Sequence, residues 1–294
     1  MQIDFIGVGS PKCGTEWLVA CLREHPEIDF SKHKEPNIFL SPQGGLNKLF
    51  YKEMKINKWE EYMGEFDWTS TKKHGEFSIK YIFDIKALKK IKEHFPQIKV
   101  IAAIRNPIDF LYSNYWYMKS SNFHHLIPNS FEEAIEKAVE GDPYFKEYAY
   151  FSKHLENCYK IRGKENVHII LLDEIKTNPT KALIDLYAFI GVDKNFEPSF
   201  ADKKVNQTKM LKYTFLMPIV HTGLKLISNM GLQSLINKMM NSDTLIRKIF
   251  RKFFFSNKKY PKISEKTKKA LQIEFKPEIM KLQRLIERDL SSWL

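Results

Sequence analysis

Residues Val8–Leu18 read VGSPKCGTEWL, and the reading of this stretch decides the fold. Before it runs an apolar segment, IDFIGVG (Ile3–Gly9). After Gly14 comes TEWLVACLREH (Thr15–His25), in which Trp17, Leu18, Cys21 and Leu22 recur at helical spacing. Strand, glycine-bearing loop and helix, in that order, make a phosphate cradle, because the loop's N–H groups and the positive end of the helix face an anion together. Gly9 and Gly14 keep the glycine spacing of a Walker A loop, G-x-x-x-x-G-K-[ST]. The lysine, however, stands inside the loop at Lys12, and Thr15 and Glu16 follow Gly14 where the Walker lysine and its magnesium-binding hydroxyl belong. A tight strand-to-helix turn with an incidental lysine would read the same, and glycine spacing alone does not separate the two.

Outward from the loop the alternation continues. KVIAAI (Lys99–Ile104) and VHIILL (Val167–Leu172) are unbroken apolar runs, as in strands buried on both faces of a parallel sheet. IFDIKALKKIKEHF puts Ile82, Ile85, Leu88, Ile91 and Phe95 on one helical face. DFLYSNYWYM, SFEEAIEKAVE and YAYFSKHLENCYKI read as three further helices, and PTKALIDLYAFIG as one that begins at Pro179 and ends at Gly191. Strands alternating with helices predict a doubly wound α/β fold on a parallel sheet, in one domain. After residue 205 the strand signals stop. DTLIRKIFRKFFF sets Leu245, Ile246, Ile249, Phe250, Phe253 and Phe254 against Arg247, Lys248, Arg251 and Lys252, a basic amphipathic helix. Packing on its own domain is the ordinary use of such a stripe, and contact with a membrane surface is the alternative.

The composition excludes several classes. Of 294 residues 43% are hydrophobic and 14% aromatic, enough for a substantial core and far from a disordered chain. No apolar run reaches membrane-spanning length, and MQIDFIGVGS lacks the basic start and apolar run of a signal peptide. Cys13, Cys21 and Cys158 are odd in number and have no metal-ligand spacing, so a reduced cytoplasm is the expected compartment. Without an export signal, the sequon at Asn206 carries little weight. Of the net charge of +12, the stretch Lys203–Lys269 supplies +14, from 16 Lys/Arg against 2 acidic residues, leaving about −2 for the rest. Such a patch attracts polyanions, anionic lipid surfaces or phosphorylated ligands, or is simply a solvated lysine-rich face.

A second anion site changes the weight of the first. AAIRNPIDFLYSNYWY puts Arg105 at the carboxyl end of the KVIAAI strand, where open α/β sheets bind ligands. Asp109 is a candidate cap for the next helix, and Ser113 lies about a turn inside it. Arginine and serine together could grip a second phosphate. With the loop, they describe a nucleotide with anionic groups at both ends.

PKCGTEWL together with RNPIDFLYSNY resembles the paired signatures of the sulfotransferases that use 3′-phosphoadenosine 5′-phosphosulfate (PAPS). HPEI, KEPNIF, GEFSIKYIF and the tail segment RDLSSW (Arg288–Trp293) stand in that family's order, so the resemblance spans nearly the whole chain. It implies a P-loop-NTPase-like three-layer α/β/α fold with a mostly helical C-terminal part, as a single domain over residues 1–294. It also implies sulfuryl transfer from PAPS to a hydroxyl or amine, with 3′-phosphoadenosine 5′-phosphate (PAP) as product. Lys12 resembles the loop lysine at the sulfuryl group, and Cys13, Gly14, Thr15 and Glu16 fall where the family contacts the 5′-phosphate. Arg105 and Ser113 match the grip on the 3′-phosphate, and Trp17 matches an aromatic position whose other reading is burial on the helix. Glu35, in KEP, matches the base of carbohydrate sulfotransferases of the heparan-modifying type, with His33 as runner-up.

Two departures stand out. Glu16 replaces a common threonine, and Phe77 stands where carbohydrate-modifying members often carry a lysine, with Lys80 nearby. Glu76 is either an acceptor-side carboxylate or the buried partner of a basic residue. A sulfuryl group carries one negative charge, which a lysine and amides can neutralise, so no metal is expected. The expected acceptor is a glycan or another hydroxylated molecule, with anionic-surface contact through residues 203–269 and no specific nucleic acid. The competing readings are a nucleotide-dependent kinase on a related fold and a non-enzymatic nucleotide- or polyanion-binding module.

Overall fold

The computed structural model describes residues 1–41, 56–119, 128–139, 146–201, 210–211, 255–256 and 260–294. β1 (Phe5–Gly9) runs into α1 (Thr15–Glu24) and β2 (Ile28–Phe30). α2 (Trp59–Met63), β3 (Lys73–Phe77), α3 (Ile85–His94), β4 (Lys99–Ile104), α4 (Pro107–Lys119), α5 (Phe131–Val139) and α6 (Phe151–Arg162) follow. Then come β5 (Val167–Leu171), α7 (Leu172–Thr177), α8 (Pro179–Ile190), β6 (Met210–Leu211), β7 (Phe255–Ser256) and α9 (Glu265–Ile286).

The five long-range strands form one parallel sheet in the order β2-β3-β1-β4-β5. Burial of every residue of β1 and nearly all of β4 explains their unbroken apolar runs, since helices cover both faces. On one face α3 packs on α6, and α9 on both α4 and α6. On the other, α8 meets α1, where the Tyr187 hydroxyl donates to the Cys21 carbonyl. All three cysteines are buried and free. Among the described residues, no helix is long and apolar enough to cross a membrane.

The α8 ends fall where Pro179 and Gly191 predict. Asn178 caps the start by accepting from the Lys181 amide, and Gly191 closes the helix at φ 89°. The helix predicted from Ile82 begins later, because the Asp84 carboxylate accepts from the amides of Lys86 and Ala87 and so makes Asp84 the cap. Ile85 consequently sits at the exposed first position, while Leu88 and Ile91 stay buried.

β1 and β3 approach closely through two reciprocal pairs, Phe5 against Gly75 and Phe77 against Gly7. Each ring lies over the glycine of the other strand. A β-carbon on Gly75 would fall 2.1 Å from the Phe5 ring, and one on Gly7 equally close to Phe77. Gly75→Ala should therefore cost about 1–3 kcal/mol, through overpacking at a centre with no room to relax. A lowered urea midpoint with unchanged slope is the expected reading; an unchanged midpoint would show the rings to be mobile.

The C-terminal part differs from the reading of the sequence in one respect. β6 and β7 pair antiparallel, Met210 with Ser256 and Leu211 with Phe255, although no strand is predicted after residue 205. A two-residue strand is too short to show a period. Phe255 thus belongs to a strand rather than to the end of the predicted amphipathic helix. The remainder of that helix, Asn206 and most of the basic stretch 203–269 lie outside the described residues.

Candidate active site

In the order β2-β3-β1-β4-β5, the segments leaving β1, β2, β3 and β4 all emerge at the carboxyl edge of the sheet, with β1 at its centre. That edge gathers the loop 10–14, the KEP segment, Ser78 with Lys80, and Arg105.

The loop is pinned from below. Ser10 donates its amide and its hydroxyl to the Ala103 carbonyl of β4, at 2.7 and 3.0 Å, and its Oγ lies 3.0 Å from the Cys13 sulfur. Cys13 is fully buried, and burial pushes its thiol up to about 11. Its side chain therefore belongs to the core, and its backbone is what it can offer a ligand. Gly14 is the N-cap of α1 in left-handed conformation, φ 84°, and supplies no side-chain cap. The first helical bonds run from the Trp17 and Leu18 amides to the Gly14 carbonyl, which leaves the amides of Gly14, Thr15 and Glu16 ahead of the α1 ladder. Thr15 is buried at the first helical position, and Trp17 is buried with its indole N–H donating to the Phe200 and Ala201 carbonyls. The packing reading of Trp17 is the one its geometry favours.

Lys12 takes φ 63°, unusual for a residue with a β-carbon, and its ammonium lies 4.8 Å from the centre of the Tyr117 ring. Burial, and then repulsion from Arg105, lower its pKa to about 8. The Lys12 carbonyl accepts from Arg105 Nη1 at 3.1 Å, so the strand end and the loop form one unit. Arg105 Nη2 reaches Asp109 at 3.3 Å, and Arg105 Nε is buried with no partner among the described residues. A buried donor left unmatched beside a cationic loop fits an anionic ligand.

Asp109 is not the helix cap. Asn106 Oδ1 accepts from the amides of Ile108 and Asp109, with Pro107 as the first helical residue, and this leaves Asp109 to pair with Arg105. Ser113 is half-buried on α4, one turn before Tyr117. Asn106 also donates to the Trp293 carbonyl. Trp293 Nε1 donates to Asp173, and Arg288 Nη1 lies 2.9 Å from both Glu174 carboxylate oxygens. The RDLSSW tail is therefore strapped onto α7 and the β4–α4 turn, a connection its sequence position does not reveal.

Across the edge, Glu35 also takes left-handed backbone, φ 62°, and is followed by Asn37 at φ 59°. The Asn37 side chain donates to the Glu35 carbonyl and its amide to Ser78 Oγ. Burial raises the pKa of Glu35, opposed by the positive charges of Lys34 and Lys80. His33 is turned elsewhere, its amide donating to Glu65 and its Nδ1 2.9 Å from the same carboxylate. Glu76 is fully buried, accepting from Ser78 Oγ at 2.6 Å and Tyr62 at 3.5 Å, and burial raises it to about 8. It is partnered by hydroxyls rather than by a basic residue.

The sulfotransferase domain family matches residues 2–218. The chain belongs to that family. It is 27% identical over 172 residues to mouse carbohydrate sulfotransferase 15, a match covering 46% of this chain and 30% of that protein. The human protein of the same name is 26% identical over the same span. The chain thus spans about a third of the length of the curated relatives it matches. A sulfotransferase from Alicyclobacillus acidocaldarius shares the fold over 100% of this chain and 99% of its own, with TM-score 0.71 and 21% identity.

Within this family member the two departures have physical explanations. Phe77 is a core ring over Gly7, which removes it from the site. Glu16 does not face the cradle: its carboxylate is paired with the Lys34 ammonium. Tyr117 is the neighbour of the site that a sequence reading passes over, and the pairing of Lys34, in KEP, with Glu16 is the contact it does not show. Helical spacing of four from Ser113 could have pointed to Tyr117, whereas KEP marks Lys34 without showing that Glu16 is its partner.

Proposed function

We propose that the chain transfers the sulfuryl group of PAPS to a hydroxyl or amine of a carbohydrate acceptor and releases PAP. The observation that carries this reading is the bond from Arg105 to the Lys12 carbonyl, which builds the cation of the loop and the cation of the strand end into one cradle. The family and the uncapped start of α1 support it. Lys12 and the amides of Gly14, Thr15 and Glu16 would hold the 5′ end, and Arg105 and Ser113 the 3′-phosphate. When bound, PAPS supplies an electrophilic sulfur whose bond to the 5′-phosphate oxygen breaks. Glu35 takes the acceptor proton as the new S–O or S–N bond forms, and Lys12 neutralises the charge left on the departing phosphate. Remote binding at Arg105 helps to position the reacting end. The relatives' name supports a carbohydrate acceptor, and structural likeness over the full chain supports reading residues 1–294 as one domain.

The test begins with thermal shifts. PAP should raise the melting temperature, and Arg105→Ala should weaken PAP binding about 10- to 100-fold, the worth of a lost charge-assisted pair. Stabilisation by ATP with magnesium and not by PAP would favour a kinase, and unchanged PAP affinity in Arg105→Ala would sink the 3′-phosphate assignment. Transfer of labelled sulfate from PAPS to a panel of unsulfated glycans, lipids and phenols then identifies the acceptor class.

A further inference from the structure

Glu16 carries a charged side chain that the transfer reaction leaves unused. It sits in the first turn of α1 with its carboxylate on Lys34, its side chain 50% exposed. Lys34 is much better covered, 17% exposed, and its ammonium also stands 3.6 Å from Glu35 Oε1. Two carboxylates, one on the donor helix and one on the segment after β2, therefore compete for one cation. Resting on the reading of Glu35 as base, we propose that Glu16 is a positioning residue: by engaging Lys34 it keeps that ammonium from closing on Glu35 and so preserves the basicity of the attacking side.

The physics gives the sign. A direct ion pair lowers a carboxylate's pKa by about 1–3 units, and a less basic carboxylate is a poorer general base. At 3.6 Å the Lys34–Glu35 pair is longer than a charge-assisted hydrogen bond. Without Glu16, Lys34 loses its other partner and can close that gap. The negative charge of Glu16 acts in the same direction, since it disfavours ionisation of Glu35. The other charged groups around Glu35 do not replace this balance. Lys80, from the segment after β3, pulls Glu35 down, and Glu76 behind it is held largely protonated below pH 8. Lys34 also opposes, and Glu16 favours, the charged form of Lys12, so the same pair borders the donor side. A glutamate beside an anion site is thereby accounted for: it matches the lysine of the neighbouring segment.

A purely mechanical tether between α1 and the KEP segment would predict something different. Cutting a tether from either end has one effect, whereas cutting this contact from its two ends should move Glu35 in opposite directions. The measurement is a carbon-13 titration of glutamate carboxyls in the full chain saturated with PAP, with the Glu35 signal assigned by its loss in Glu35→Gln. Glu16→Gln should lower the Glu35 midpoint by about one pH unit, and Lys34→Met should raise it. In the Lys34→Met background, Glu16→Gln should move it by less than half as much. The acid limb of PAP release from PAPS, with a pool of unsulfated glycosaminoglycans as acceptor, should follow the midpoint. Shifts of the same sign in both single variants, or none, overturn the proposal while leaving Glu35 as base if Glu35→Gln is inactive. A midpoint that moves while the acid limb stays fixed removes Glu35 as base, and the catalytic role of Glu16 with it.

Discussion

Lys12→Ala is expected to reduce sulfate transfer by about a thousandfold or more, the upper end of what one lost donor to a developing oxyanion costs. The reason is placement. Ser10 fixes the loop to β4, Arg105 holds the Lys12 carbonyl, and the residue is kept in left-handed backbone, so the backbone from which its ammonium reaches the cradle is fixed. Loss of water, and then crowding with Arg105, lower its pKa to about 8. That gives a second, independent signature. A nucleotide with a phosphate at each end binds the charged lysine better, so PAP affinity should be nearly flat between about pH 7 and pH 8 and fall by up to tenfold per unit above pH 8, because binding then requires uptake of a proton. Titration calorimetry at pH 7 and pH 9 reads the difference directly. In Lys12→Ala that slope should vanish while Arg105 still provides residual binding. Retained transfer in Lys12→Ala would remove the lysine from the chemistry; a retained slope would assign the proton to another group.

What the sequence disclosed and what it hid divide along a physical line. The donor side was legible because its parts are local: loop 10–14 follows one strand and Arg105 another, and strand-end position is readable from apolar runs. β2 and β3 were missed for the opposite reason. IDF is three residues long, and KHGEF has neither alternation nor an apolar run, because two of its five places serve a close approach to β1. Glycine at 75 and phenylalanine at 77 look like site residues in a motif but are one half of a packing arrangement whose other half lies at Phe5 and Gly7. Likewise Asn106 outcompetes Asp109 as the cap, being the residue whose carbonyl begins the α4 ladder, a distinction that composition does not make. The Glu16–Lys34 pair joins residues 18 apart, and the tail contacts cross more than a hundred residues. No period or motif encodes such pairs; they follow only from the order of strands in the sheet.

Glu35→Gln should lower kcat by about 10²- to 10⁴-fold, the range of general-base catalysis, and leave PAP affinity within about twofold. The substitution keeps shape and backbone preference, which matters because Glu35 sits at φ 62° with its carbonyl held by Asn37, and a smaller residue would confuse lost chemistry with a rearranged segment. The pH dependence makes the test specific. A general base works only when ionised, so activity should fall as pH drops through the pKa of Glu35. Burial raises that pKa, which puts the acid limb of kcat/KM at higher pH than an ordinary glutamate would. Removing the carboxylate should remove the limb along with the rate. His33 supplies the contrast, since its ring nitrogen is committed to Glu65 at 2.9 Å and its amide to the same carboxylate. If the limb survives in Glu35→Gln and disappears in His33→Asn, the base is the histidine, and the Glu65 pairing must open for each turnover. If it disappears only in Glu35→Gln, the carboxylate whose ionised form Lys34 and Lys80 favour is the group that takes the proton, and its left-handed backbone serves to aim it.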